Sequence, residues 1–244
     1  MANPYEIARW NTKGVVAAVV VISGWCALLA ALLSLELDRG AGLWVMPFGV
    51  VVQTFLYTGL FITAHDAMHG SVAPDRPRLN DAIGTLAVLL YALFSYRKLH
   101  DRHWEHHDQP GEPGADPDFH DGEHPGFFRW YFNFLSHYVS VWQIVGMAVA
   151  FNVLHHLVGV SLVNLLVFWV LPSVLSTFQL FYFGTFLPHR EPHDGNEHNA
   201  RSNDFAPFWS FVTCYHFGYH LEHHEYPGVP WWHLPEVRRK GHKT

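Results

Sequence analysis

The chain has 244 residues, 20 of them histidine, with 50% apolar and 15% charged residues and a net charge of −6 with histidine neutral. That balance, without a basic patch, argues against a nucleic-acid partner. Its two cysteines, Cys26 and Cys214, share no C-x-x-C spacing, which excludes a disulfide framework, a zinc finger and a thiolate-held cluster.

Residues 1–13 are polar, with Arg9 and Lys13 ahead of an uncharged run from Gly14 to Leu35. That run suits a membrane helix of about 20 residues. A signal peptide would carry a shorter apolar region, roughly 7–15 residues, and a clean A-x-A site. Glu36, Asp38, Arg39, Gly40 and Gly42 predict a turn, and Leu43 to Ala64 a second crossing. His65 follows at once, where this helix leaves the membrane. Residues 70–81 read as a loop by their Gly, Pro and Asp content. Ala82 to Tyr96, at about 15 residues, is short for a crossing and predicts a helix packed on the bundle or lying in the interface. Residues 108–126 are an acidic, Pro/Gly-rich loop. Phe127 to Phe134 is an aromatic interfacial stretch. Tyr138 to Leu157 and Val160 to Leu187 predict the third and fourth crossings, turning at Gly159 and ending at Pro188, His189 and Arg190. After a polar stretch at 190–204, Phe205 to His216 leads into the last histidine cluster. The tail carries Trp231 and Trp232, then Arg238, Arg239, Lys240 and Lys243.

The expectation is therefore an all-α integral membrane protein, one domain over residues 1–244, with about four transmembrane helices plus interfacial helices. Basic flanks at both ends place the termini and the histidine-rich face in the cytoplasm of a multi-pass inner-membrane protein.

Histidines recur three and four residues apart: His65 and His69; His100, His103, His106 and His107; His216, His220, His223 and His224. On a helix such positions share a face. Imidazole suits iron, copper, nickel and zinc. His65, His69, His103, His106, His107, His220, His223 and His224 exceed the four ligands of one zinc and suit two metal ions. His189, where the fourth span emerges, is a further ligand candidate. His100 and His216 are ligands or orient ligands, and Asp66, Asp101, Glu105, Asp116, Asp118 and Glu222 are candidate acceptors for a ligand's second ring nitrogen. The remaining histidines, at 120, 124, 137, 155, 156, 193, 198, 233 and 242, read as loop or far-face residues. A redox metal at a membrane face implies a lipophilic substrate with an unactivated C–H bond. The aromatic faces near Phe61, Tyr96 and Phe183 are assigned to its path, and no acid–base residue beyond the metal centre is invoked.

The words H-D-A-M-H-G at 65–70, H-D-R-H-W-E-H-H at 100–107 and H-L-E-H-H at 220–224 resemble the three histidine boxes of membrane fatty-acid desaturases and hydroxylases. The finer pattern is similar to the bacterial β-carotene ketolases: H-D-A-M-H-G-S at 65–71, D-P-D-F-H at 116–120, F-L-P-H-R at 186–190, and H-L-E-H-H leading into P-W-W at 230–232. The resemblance covers nearly the whole chain. It implies a non-haem diiron oxygenase that uses O2 and electrons from a ferredoxin-type donor. Keto groups would enter at C4 and C4′ of the β-ionone rings of β-carotene, giving echinenone and canthaxanthin on the way to astaxanthin. Two hydroxylations at one carbon, then dehydration, would make each ketone. Carried over, the ligands are His65, His69, His103, His106, His107, His220, His223 and His224, with His189 matching a ligand that related desaturases take from a helix end. His100 and His216 are additions to that pattern.

Box spacing alone leaves a carotenoid ring hydroxylase, a fatty-acyl desaturase and an alkane hydroxylase as alternatives. A metal transporter or metal-binding membrane protein is the alternative of another class, although transport usually places ionisable residues inside the spans.

Overall fold

The computed structural model describes residues 11–37, 41–192 and 195–241, and among them there is helix, turn and irregular chain but no strand. Arg9, Asp38, Arg39, Gly40, His193, His242 and Lys243 lie outside the described residues. The first uncharged run forms α1, Asn11–Leu33, and the second forms α2, Ala41–Met68. No helix breaker lies between Ala64 and Gly70, so α2 continues a turn beyond Ala64 and carries His65 on its last turn. Gly70, at φ +70°, ends it.

The loop expected over 70–81 is shorter than that, because Pro77 occupies the first helical turn of α3, Pro77–Ala92. The short helix expected at 82–96 is therefore displaced towards the N-terminus. Leu93 is left-handed at φ 56°, and the chain bends by 100° into α4, Tyr96–Asp108. Ser95 caps α4 by accepting from the Lys98 amide at 3.4 Å. The 108–126 segment is irregular as expected and leads to α5, Phe127–Tyr138. Ser140 and Gln143 form a capping box. It starts α6, Val141–Leu157, at 88° to α5. The helix expected to begin at Tyr138 thus begins after this corner. The last long helix, α7, runs Leu162–His189. Its wide turns at Leu165–Val170 and Tyr182–Phe186 lie just before Pro172 and Pro188, whose rings crowd the carbonyl four residues back.

Among the described residues, α1, α2 and α7 are long and apolar enough to cross a membrane, and the bent pairs α3/α4 and α5/α6 raise the number to five at most. These helices pack around Trp25, Tyr57, Leu60 and Leu165. Lipid is as apolar as leucine, so close packing and interhelical hydrogen bonds must hold them together. Asn164 donates to the carbonyls of Leu32, Leu33 and Leu35 at 3.1, 3.1 and 2.8 Å, satisfying the open end of α1. Thr58 donates to Gln179 Oε1 at 2.6 Å, and Tyr91 to Ser176 Oγ at 3.2 Å.

Three short helices close the histidine face: α8, Pro207–Cys214; α9, His220–Glu225; and α10, Leu234–Gly241. Tyr215 and His216 are both left-handed, at φ 48° and 62°. Each costs about 1–2 kcal/mol for an L-residue. Burial holds the turn, because Tyr215 stacks on Phe55 at 4.3 Å and meets Trp231 edge-on. Gly59 makes room: a Cβ there would sit 2.5 Å from the Tyr215 hydroxyl oxygen. The left-handed turn redirects the chain so that α9 faces α4.

Candidate metal centre

Two sets of imidazoles converge between α2, α4, α7 and α9. His65, His69, His103 and His223 form one, with ligand atoms all within 4.8 Å of one another, and His106, His189, His220 and His224 form the other. Each helix feeds them by its pitch. On α4, His103 serves the first set and His106 the second; on α9, His223 serves the first, and His220 and His224 the second. His107 stands between them, its Nε2 3.0 Å from His223 Nε2 and its ring 4.3 Å from that of His224.

Nitrogen-to-nitrogen distances test whether these residues fit a metal. Nε2 separations are 2.7 Å for His69–His103, 3.2 Å for His106–His224, 2.9 Å for His189–His220 and 3.0 Å for His220–His224. Metal–imidazole bonds of about 2.0–2.1 Å place neighbouring ligand nitrogens roughly 3 Å apart. Protons do not explain every contact in the second set. His106 Nδ1 lies 2.9 Å from both Asp116 oxygens and His189 Nδ1 lies 3.0 Å from the Asn199 carbonyl. The Asn199 carbonyl draws the ring proton of His189 to Nδ1 and leaves its Nε2 as a bare lone pair. Asp116 fixes a proton on His106 Nδ1 and, against burial, raises that ring to about 9, so a metal at His106 Nε2 would displace a proton. Burial, with the neighbouring imidazoles, holds His220, His223 and His224 well below the ordinary histidine range, so they are neutral and able to bind a cation. A cation within the second set removes the opposition of lone pairs, and the 2.7 Å His69–His103 separation in the first set suits a shared metal equally well.

Asp116 also accepts from the Gly111 and Asp118 amides, each at 2.8 Å. Its carboxyl stays below the usual range: burial acts against this, but His106 outweighs it. Asp66 lies 3.6 Å from His65 Nδ1 and accepts from the Trp231 amide at 3.2 Å, fastening the tail to α2. Asp118 accepts from the Tyr138 hydroxyl and is pushed up to about 6, chiefly by burial.

Several sequence candidates fall elsewhere. His100 is half-buried, beside Asp101 at 3.4 Å and with its ring 6.4 Å from that of Trp104, and joins neither set. Glu105 pairs with Arg102 at 2.6 Å. Glu222 points off the opposite side of α9, where it accepts from Ser202 and from Arg238, the latter at 2.9 Å. His216 joins neither set; it stacks on Tyr219, and burial pushes it down to about 4.

Beneath both sets lies an apolar cavity lined by His65, His103, His106 and His220 and, further in, by Phe61, Tyr91, Phe94, Leu99, Phe134 and Leu180. Phe61 is thus on its wall. Tyr96 is not, because its ring packs against Gly84 and Ala67. Phe183 is not either, packing instead beside Phe205. The sequence reading missed Asn199, whose backbone carbonyl carries no side-chain signal, and Tyr138, which gave no sign beyond aromatic content. His198, read as a plain loop residue, has its ring 5.6 Å from that of His224.

Apolar helices long enough to cross a membrane, two interlocked histidine sets able to hold metal and an apolar cavity lined by members of both are the features of a helical membrane protein with a metal site. The family model described as fatty acid desaturase matches residues 41–141 and 137–243, and the chain belongs to that family. It is 45% identical to a beta-carotene ketolase of Paracoccus sp. (strain N81106 / MBIC 01143), over 91% of this chain and 90% of that protein. Identity is 39% to a beta-carotene ketolase of Haematococcus lacustris, over 98% of this chain and 83% of that protein. It is 42% to a zeaxanthin 4-ketolase of Chlamydomonas reinhardtii, over 96% of this chain and 55% of that protein.

Proposed function

We propose that the chain is an O2-dependent oxidoreductase, a carotenoid 4-ketolase that converts the C4 and C4′ methylenes of β-carotene to ketones. The observation that carries this reading is the apolar cavity walled at one end by imidazoles of both sets. A hydrocarbon ring entering it meets the candidate metal ligands first and apolar side chains elsewhere. The likeness to curated ketolases over most of the chain agrees.

Two non-haem irons, held by the two histidine sets with His107 between them, would supply the dioxygen activation that an unactivated C–H bond requires. The chain's own residues prepare that site. Asp116 fixes the ring of His106, and the Asn199 carbonyl that of His189, so their Nε2 lone pairs face inward. Phe61, Phe94, Leu99 and Phe134 exclude water and orient the ring. By stoichiometry, each hydroxylation consumes one O2, two electrons and two protons and releases one water; a second at the same carbon gives a geminal diol, which loses water to leave the ketone.

The proposal extends to a single domain over residues 1–244, about four crossings of the inner membrane, and a ferredoxin-type electron donor. Lys13 ahead of the first apolar run, and Arg238, Arg239 and Lys240 on α10, support a cytoplasmic histidine face. The test is the purified protein loaded with iron. It should hold about two irons per chain and consume oxygen when β-carotene and a reductant are both present. Oxygen uptake indifferent to β-carotene would overturn the substrate assignment.

A further inference from the structure

Among the residues lining the cavity, Asp118 is the one carboxylate. Of the hydroxyls on the wall, that of Tyr91 donates to Ser176 and that of Thr177 to the Val174 carbonyl. Asp118 shares the wall with Tyr138, whose hydroxyl donates to Asp118 Oδ1. Tyr138 is itself fixed, its ring tilted against that of Phe134 at 4.9 Å and its carbonyl accepting from Lys98 Nζ at 3.1 Å.

A carboxylate facing an apolar cavity is costly unless something uses it. Anchoring the 108–126 segment does not need it. The Asp118 carbonyl already accepts from Trp130 Nε1 at 2.7 Å, and the Phe119 carbonyl from Asn133 Nδ2 at 3.1 Å. Nor does it orient a ligand, since Asp116 serves His106. The Tyr138 bond leaves Oδ2 open to another donor.

β-Carotene is a hydrocarbon and offers no donor. On the proposed reaction, its ring acquires one when the first oxygenation leaves a hydroxyl at C4. That alcohol must stay for the second oxygenation although it is more water-soluble than its precursor. We infer that Asp118, held by Tyr138, accepts a hydrogen bond from this C4 hydroxyl and retains the ring until the ketone forms. The inference rests on the ketolase reading. The pair makes no bond and breaks none; it is a positioning device that acts on the half-oxidised substrate. The ketone has no donor, so oxidation to it ends the interaction and frees the product.

The experiment is the full chain in β-carotene-producing cells, comparing wild type with Asp118→Leu, Asp118→Asn and Tyr138→Phe. The readout is the ratio of 4-hydroxy to 4-keto rings among the oxygenated products, which does not depend on how much protein folds. Asp118→Leu should raise the ratio about tenfold, the effect of ~1.4 kcal/mol of lost binding. Asp118→Asn keeps a carbonyl acceptor and should restore part of the retention; Tyr138→Phe should fall between Asn and Leu. Membranes supplied with 4-hydroxylated β-carotene should show a KM about tenfold higher for Asp118→Leu than for wild type. A wild-type product ratio in Asp118→Leu overturns the inference. So does complete loss of oxygenated products in both Asp118→Leu and Tyr138→Phe, because the pair would then serve the centre itself. A wild-type chain that makes no ketone would instead refute the proposed function.

Discussion

Replacing Asp116 with alanine would remove the acceptor for His106 Nδ1, which lies 2.9 Å from both carboxylate oxygens. His106 could then turn or carry its proton on Nε2, the atom aimed at the second histidine set. Loss of such a supporting carboxylate costs 10–100-fold in metal affinity, or about 1.4–2.8 kcal/mol. The Gly111 and Asp118 amides lose their acceptor as well, at about 1–3 kcal/mol each where they remain buried and unpaired. The assay is a chelator titration of the purified, iron-loaded protein, with iron counted per chain at each step. Asp116→Ala should release one iron at 10–100-fold lower chelator, while the iron held by His65, His69, His103 and His223 leaves at the wild-type concentration. Asp116→Asn, which keeps a neutral acceptor, should lie between the two. Release of both irons together, or neither earlier than in wild type, would refute the account of two sets separately supported.

His106→Ala and His223→Ala should each lower activity by at least a hundredfold while the protein still inserts into the membrane, as read by turnover and membrane fractionation; full activity in either variant removes that residue from the ligand set. Asn164→Ala leaves the carbonyls of Leu32, Leu33 and Leu35 without their donor, and should cost about 1–3 kcal/mol, seen as a lower unfolding temperature in detergent with iron content intact. Gly84→Ala puts a Cβ 2.3 Å from the Tyr96 ring and 2.8 Å from the Ala67 Cβ. It should cost about 1–3 kcal/mol by overpacking and lower activity by displacing α4, whereas an unchanged melting curve would show that this corner yields freely. Labelling from the cytoplasmic side should modify a cysteine placed at Glu112, and labelling from the opposite side alone would reverse the topology.

Much of the site is visible in the sequence because helical pitch is a local property. His65, His103, His106, His107, His220, His223 and His224 are spaced so that a helix must present them together. Pitch does not reveal how two helices cross. The division of α4 and α9 between two sets arises where they meet, and the left-handed turn at Tyr215 and His216 that brings α9 there has no glycine to announce it. His100 carries the right spacing but turns towards Asp101 and Trp104, and Glu222 lies between ligands yet faces away, so motif membership alone misplaces both. Asp116 is legible as an acid beside a histidine box, and its pairing with His106 requires the irregular 108–126 segment to fold back. The long spans are read from apolar length, whereas the corners at Leu93 and Ser140 depend on single backbone conformations. Those corners are why Ala82 to Tyr96 and Tyr138 to Leu157 have shifted boundaries.

The most direct test of the proposed activity is pigment analysis of a β-carotene-producing bacterial host expressing the chain, by chromatography with mass detection, beside a His106→Ala control. The account predicts new carotenoids in which each modified ring has gained one oxygen and lost two hydrogens, absent from the control. Rings that gain oxygen alone would point to a hydroxylase, and unchanged β-carotene with the iron-loaded protein present would contradict the assignment.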